Sequence, residues 1–370
     1  MRTYLTFETK ELIKKIKPPR SIYKIKESKQ NIFVIKEYKN KKGRPFSITL
    51  PKTIKASPET VGLIVGEGFI GDRNFVFANS NEKSIDEIWE FLKQFKIPIK
   101  YYLEISIKNK SKKFINDSKK FWEKHINLKI DRIRLRKEFH NITSHGTLHI
   151  GLNNKLVAEL LREIINISKK KIEKSKLLSV EYLKGILAAE GNINIKKSTN
   201  CVYMVRISAS KQEEREHYKR CLEKIGINIS CQDMLTVSKE EAKQKGWKTT
   251  KGRAGAVLIS KWDNFIKILE LDLLSLSDDK KQKFLTYFFN NKFTKQFLEF
   301  KHFLNKEFTM KEAQLYFGFC GRDLNRVLTF YKKGYISRRR LNKIKFSYKL
   351  TKKYFKVYDI LTSYQNNPTG

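Results

Sequence analysis

The sequence predicts an α+β protein built on an internal duplication, closed by a smaller unit of two helices and a basic hairpin. Two apolar segments, 60–68 and 183–191, carry the first observation. Each has small residues four apart (Gly62 and Gly66, Gly185 and Ala189) and ends on an acid followed by glycine, Glu67-Gly68 and Glu190-Gly191. The second observation is that similar elements follow each segment in the same order, which separates a repeat from a chance match. The third is a helix-capping signature at Thr309 and Glu312, which opens the last unit.

In chain order, 7–16 reads as a short helix stopped by Pro18-Pro19. Residues 32–38 and 46–50 alternate like strands joined through Asn40-Lys41-Lys42-Gly43. Residues 1–55 are therefore a basic N-terminal arm or hairpin, and equally read as a disordered arm that orders on a polyanion. Pro58 opens the first motif segment. After it come an apolar run at 75–78, a helix-like stretch at 85–95 and a strand start at Ile97-Pro98-Ile99, and later 147–150 leads into a helix at 156–165. After the second segment the counterparts are 202–207, 213–225, 227–229, and 256–259 leading into 265–274, with about seven extra residues assigned to its first loop. The repeats span 56–174 and 175–300, and continuing their register pairs Lys171 with Lys280.

The last unit, 305–360, reads as a helix to about Phe317, a turn at 318–321, a second helix over 322–332 stopped by Gly334, and alternating runs at 335–340 and 345–350. Helix, turn, helix and basic hairpin is the order of a winged helix-turn-helix. Arg322, Asn325, Arg326 and Thr329 share one side of the second helix, Arg338, Arg339 and Arg340 lie in the hairpin, and Leu324, Val327, Leu328 and Tyr331 are expected to pack inward. A protein-docking module of the same topology stays open as an alternative.

Seventy-eight Lys and Arg against 38 Asp and Glu leave a formal charge of +40, far beyond what solubility requires. A polyanionic partner follows, and nucleic acid fits better than a membrane because the basic residues alternate with apolar ones in strand-like runs. The four cysteines (Cys201, Cys221, Cys231, Cys320) form no Cys-x-x-Cys pair, and no signal peptide or long apolar run occurs, so a reduced, intracellular, soluble protein is expected. Arg132, Arg134 and Arg136 alternate with Ile133 and Leu135, which puts the three arginines on one sheet face and the apolar pair toward a core. Such a face suits the major groove, where arginine binds guanine bidentately. Lys108 with Glu104 and Ser106, and Arg206 with Ser208 and Ser210, are similar outward sets. His140, His145 and His149 lie close in sequence but lack the spacing and the cysteines of a zinc site. Neither a Ser/His/Asp constellation nor a phosphate-cradling Gly-x-x-x-x-Gly-Lys loop is present.

The segments 60–68 and 183–191 resemble the two LAGLIDADG motifs of a single-chain homing endonuclease, a resemblance covering about residues 45–300. The archaeal members with an appended helix-turn-helix unit are the most similar. The resemblance implies two pseudo-symmetric αββαββα halves, motif helices packed at the shared axis, and saddle-shaped antiparallel sheets over DNA. It further implies a monomer that cuts both strands of a long, nearly asymmetric duplex site, with Glu67 and Glu190 as catalytic acids. The metal is Mg²⁺ or Mn²⁺, held by Glu67 and Glu190 with the residues directly before them, Gly66 and Ala189. Lys171 and Lys280 are the implied charge-stabilising lysines, with Lys169, Lys170 and Lys281 adjacent. The sixth motif position, often Asp in the family, is Val65 and Ala188 here; that position varies and usually packs. Physical chemistry points the same way, because small residues at i and i+4 let two helices approach closely, and two acids at negative helix ends call for a cation. Gly68 and Gly191 are expected in the left-handed conformation that ends helices. The alternative on the same scaffold is a non-cleaving binding protein, either an RNA maturase acting on intron RNA or a transcription regulator. An intein is not expected, since no Cys or Ser splicing block opens the chain and no His-Asn closes it. A free-standing or intron-encoded protein fits.

Overall fold

The computed structural model describes residues 3–16, 21–38, 46–136, 143–233, 255–317, 324–342 and 345–366, and between 234 and 254 only 235, 236, 238, 240, 244 and 251–253. The chain forms two compact units. One comprises Met1–Asn192, Val205–Ile259 and Asp272–Asp278, the other Ile193–Met204, Ser260–Leu271 and Asp279–Gly370. Among the described residues no helix is long and apolar enough to cross a membrane.

The chain opens with β1 (Leu5–Glu8), α1 (Thr9–Lys15), β2 (Ser21–Glu27), β3 (Asn31–Tyr38), β4 (Phe46–Pro51) and β5 (Thr53–Ala56). β1 pairs with β5, and β2, β3 and β4 form an antiparallel sheet in that order. The expected hairpin is β3 and β4; its Asn40-Lys41-Lys42-Gly43 connection lies outside the described residues. The first helix begins later than expected. Phe7 is a buried residue of β1, and the helix starts at Thr9, whose hydroxyl donates to the Pro51 carbonyl at 2.7 Å.

Ser57 caps α2 (Pro58–Glu67) by accepting from the Thr60 amide, with proline at the first helical position, where its missing N–H is no loss. There follow β6 (Phe69–Ile70), β7 (Phe75–Asn79), α3 (Glu82–Lys93), β8 (Lys100–Ser106), α4 (Lys112–Ile126), β9 (Ile133–Arg136), β10 (Thr147–Leu152) and α5 (Lys155–Ile172). The strands form one sheet in the order β6-β7-β10-β8-β9. Its pairs are antiparallel, as expected, except that the edge strand β9 runs parallel to β8. The cause is α4, a helical crossover long enough to return the chain in parallel.

The motif recurs as α6 (Lys176–Glu190), followed by β11 (Gly191–Lys196), β12 (Cys201–Ser208), α7 (Gln212–Lys224), β13 (Ile229–Gln232), the short pair β14 (Leu235–Thr236) and β15 (Lys251–Arg253), β16 (Ala256–Ile259) and α8 (Trp262–Glu270). Their sheet order, β11-β12-β16-β13, matches β6-β7-β10-β8 strand for strand. The extra residues of the second copy lengthen its first two strands to six and eight residues, against two and five, and do not enlarge a loop.

Alternation along the first sheet sorts its faces. Phe75, Phe77, Leu103, Ile105, Leu148, Ile150 and Leu152 are almost wholly buried. Removing each such side chain from water contributes about 1.5–3 kcal/mol. The register places Ala78, His149 and Tyr102, and Thr147 and Glu104, on the opposite face.

The second unit continues with α9 (Asp278–Phe289), α10 (Lys292–Glu299), a 3-10 turn at Phe300–Phe303, β17 (Phe308–Thr309), α11 (Met310–Phe317), α12 (Leu324–Lys332), β18 (Ile336–Arg340), β19 (Phe346–Leu350) and α13 (Lys352–Asn366). Its three strands pair in the order β17-β19-β18. The capping box forms as expected: the Glu312 amide donates to Thr309 Oγ1 at 3.3 Å, and the Thr309 amide donates to Glu312 Oε2 at 2.5 Å. Gly334, at φ 75°, ends α12. The inward face of α12 differs from expectation, because Val327 and Phe330 are buried while Leu328 and Tyr331 are half-buried.

Within the second unit, contacts link residues before and after 300. Trp262 of α8 lies 5.1 Å from the Phe297 ring and 5.8 Å from Tyr335, and Asp263 pairs with Lys333 and accepts from the Tyr335 hydroxyl at 3.0 Å. Tyr354 of α13 donates to the Phe297 carbonyl at 2.9 Å. The expected 305–360 unit therefore shares one aromatic core with α8 and α10.

Candidate metal centre and nucleic-acid face

α2 and α6 pack backbone to backbone along their small residues. A Cβ on Gly62 would fall 2.4 Å from the Tyr182 carbonyl oxygen and 3.1 Å from Gly185 Cα; one on Gly185 would fall 2.3 Å from the Glu59 carbonyl oxygen. One turn on, a Cβ on Gly66 would meet Ala189 Cβ at 2.4 Å and Glu190 Cγ at 3.4 Å. The closeness therefore persists to the C-terminal ends, which brings Glu67 and Glu190 to one place.

Glu67 is exposed and Glu190 half-buried. The amide of Asn79, the last residue of β7, donates to Glu67 Oε2 and orients it. Neither helix has a basic residue in its own last turn, and a carboxylate at the negative end of a helix is by itself unfavourable by about 0.3–1 kcal/mol. The glycines after the acids serve a purpose other than the expected one. Gly68 (φ −75°, ψ 131°) and Gly191 (φ −69°, ψ 135°) are extended, not left-handed. A Cβ there would strike the Ile64 carbonyl oxygen at 2.5 Å and the Leu187 carbonyl oxygen at 2.3 Å, so space, not dihedral freedom, demands glycine.

The donor set fits a hard divalent cation. Two carboxylates at converging helix ends supply charge, and among the described residues no group of three His, Cys, Asp or Glu side chains could cage an ion. Mg²⁺ binds in just this way, through one or two carboxylates completed by water and phosphate oxygens. Asn79 was not singled out from sequence; its signal is a lone amide ending the apolar run 75–78.

Lys171 and Lys280 occupy unlike positions within the helices of their own copies. Lys171 lies in the last turn of α5, its ammonium 5.5 Å from the Phe7 ring centre, and α5 ends just before α6 begins. The 15-residue α6 thus separates Lys171 from Glu190 by about 21 Å. Lys280 falls in the first turn of α9, whereas α8 already stops at Glu270. The register that paired the two lysines breaks because α5 runs unbroken where the second copy changes helix.

The three arginines of β9 do share a face. Arg134 Cζ lies 4.3 Å and Arg132 Cζ 5.7 Å from the Tyr102 ring centre, and Arg136 Nη1 reaches Glu104 Oε1 at 3.2 Å. Leu135 does not face a core; it is 50% exposed, because β9 is the edge of the sheet. Glu104 and Ser106 lie on that outward face but are buried on it, and Lys108 sits in a 3-10 turn beyond the strand. Arg206 is half-buried on β12, opposite Leu258 of β16. His149 stacks on Tyr102 and His145 stacks on Phe121, so these histidines serve different clusters; His140 lies outside the described residues. Arg322 also lies outside them, as does the side chain of Arg326. Arg338 and Arg339 are exposed on β18.

No family model matches the chain, and no curated protein matches it. Among solved structures it is similar to I-DmoI in complex with DNA and Mn, at 13% identity and a TM-score of 0.32, over 59% of this chain and 95% of that one. It is likewise similar to mesophilic variants of the homing endonuclease I-DmoI, at 13% identity and 0.32, over 59% and 94%.

Proposed function

We propose that the chain is a site-specific, divalent-metal-dependent endonuclease of double-stranded DNA, of the single-chain LAGLIDADG homing type that its motifs resemble, with two pseudo-symmetric halves and an appended winged helix. The observation that carries the reading is the approach of Gly66 to Ala189 and Glu190, which puts Glu67 and Glu190 side by side at two negative helix ends. Two carboxylates converging at the negative ends of two helices are a place where a divalent cation would bind favourably. The matching strand orders support the two halves, and the order β17-β19-β18 with a helix pair between β17 and β18 supports the winged helix.

In this mechanism Glu67 and Glu190 are metal ligands first, with the backbone at Gly66 and Ala189 beside them. When bound, Mg²⁺ or Mn²⁺ supplies a water of lowered pKa and charge stabilisation at the phosphate. Asn79 fixes the Glu67 carboxylate, and the two acids, which alone repel a phosphate, would hold the cation beside it. The DNA lies along the faces carrying Arg132, Arg134, Arg136 and Arg206, and Arg339 anchors phosphate from the C-terminal hairpin.

The test is a plasmid library cleaved by purified protein with Mg²⁺. The expected outcome is linear product from a defined site, lost on adding chelator. Glu67→Gln and Glu190→Gln should each abolish cutting while leaving duplex binding intact. Cutting by both variants at the wild-type rate would remove the carboxylates from the mechanism.

A further inference from the structure

The outward face of the first sheet carries more than a row of cations. Tyr102 of β8 and His149 of β10 are cross-strand partners whose rings stack at 4.4 Å and 15°, with the Tyr102 hydroxyl 3.0 Å from His149 Nδ1. Two residues along β8, Glu104 is only 8% exposed and meets Arg136 Nη1 at 3.2 Å and His149 Nε2 at 3.4 Å. The three arginines stand over this bed in unlike states. Arg136 is engaged by the carboxylate. Arg134 lies closest to the Tyr102 ring, is exposed, and has no hydrogen bond or ion pair among the described residues.

We propose that β9 forms a guanine-reading edge in which Arg134, laid on Tyr102, makes the base contact, while Tyr102, His149, Glu104 and Arg136 are positioning residues. The inference rests on the DNA-binding reading above. A guanidinium held over a ring, with Cζ 4.3 Å from its centre, still has N–H donors in the fork that matches guanine O6 and N7, and it loses less freedom on binding than a lysine would. A buried carboxylate under DNA would repel the phosphates unless neutralised, and Arg136 supplies that charge. Burial holds the His149 imidazole below its ordinary pKa despite Glu104, so it braces Tyr102 as a neutral ring. The guanine contact argued here is that of the first sheet, whose edge strand is β9.

The full chain should be offered a pool of duplexes with randomised interiors, without divalent metal, and the retained sequences read. The wild-type protein is expected to enrich a motif that contains a demanding guanine position. Arg134→Lys keeps the charge but loses the fork, and should relax that position about tenfold while the rest of the motif stands. Tyr102→Leu should do the same, and Tyr102→Phe should restore the preference, which separates a ring platform from mere filling. Arg134→Lys with an unchanged motif overturns the assignment alone. A wild-type protein that enriches no sequence overturns the DNA reading and the inference together.

Discussion

At Gly62 the two motif helices leave no space for a methyl group, since its carbon would sit 2.4 Å from a carbonyl oxygen of the facing backbone. Gly62→Ala and Gly185→Ala must therefore push the helices apart, an overpacking cost of about 1–3 kcal/mol each. The check is the urea midpoint at unchanged slope. Gly66→Ala brings its new carbon to 2.4 Å from Ala189 Cβ, which is fixed to the facing backbone, so it too must part the helices, here beside the acids. That variant should carry a similar overpacking cost and in addition lose more than tenfold in cleavage rate, since a small misplacement of the acids suffices. Small residues at helical spacing and acids at matched positions were legible as sequence because both facts are local. Asn79, Tyr102 and Glu104 were not singled out correctly, because their roles depend on which strands lie side by side.

The same limit recurs among the elements. Periodicity recovered the motif helices, β7, β10, β12 and β16, whose apolar faces are strict, but it cannot report strand partners. It therefore missed that β9 runs parallel to β8 at an edge, and that β2, with lysines alternating among Ile and Tyr, is a third strand beside β3. In the second unit, Arg338 illustrates how an element changes a residue's meaning. Its guanidinium lies 4.7 Å from the Tyr331 ring at the end of α12 and 4.4 Å from the Phe346 ring at the start of β19, tying helix to hairpin. Arg338→Ala should lower stability by about 1–2 kcal/mol, at about 0.5–1 per cation-ring contact, read by thermal unfolding. Arg339 points from the neighbouring register position, opposite Ser347, and is exposed. Arg339→Ala should leave unfolding unchanged and reduce the slope of log affinity against log salt by about 0.9. If the two variants exchange these outcomes, the roles assigned to them are reversed.

For the molecule as a whole, a charge of +40 and buried histidines make acid the revealing stress. His217 of α7 is 3% exposed, with Nδ1 2.5 Å from Glu173 Oε1, which also accepts from Arg220 Nη2 at 2.8 Å. A carboxylate so near would raise an imidazole's pKa, yet burial outweighs it and holds His217 below its ordinary 6.5. The unfolded chain then takes up the proton first, so stability present above pH 6.5 falls as the pH drops toward the folded value. Glu173 adds a later loss. Burial would raise it, but its hydrogen bonds from Arg220 and His217 prevail and hold it below 4.5, so its contribution disappears as the pH falls through that lower value. Acid also weakens the molecule through growing net positive charge, which acts in the same direction. Salt separates the two causes. Repulsion between exposed charges is largely screened at about 0.5 M salt, whereas a buried imidazole is screened much less. Unfolding temperatures between pH 7 and 5 should therefore fall at both low and high salt in the wild type. His217→Gln, which removes the titrating group, should show a shallower fall, most clearly at high salt. An identical profile for the variant at high salt would assign the acid sensitivity to net charge alone.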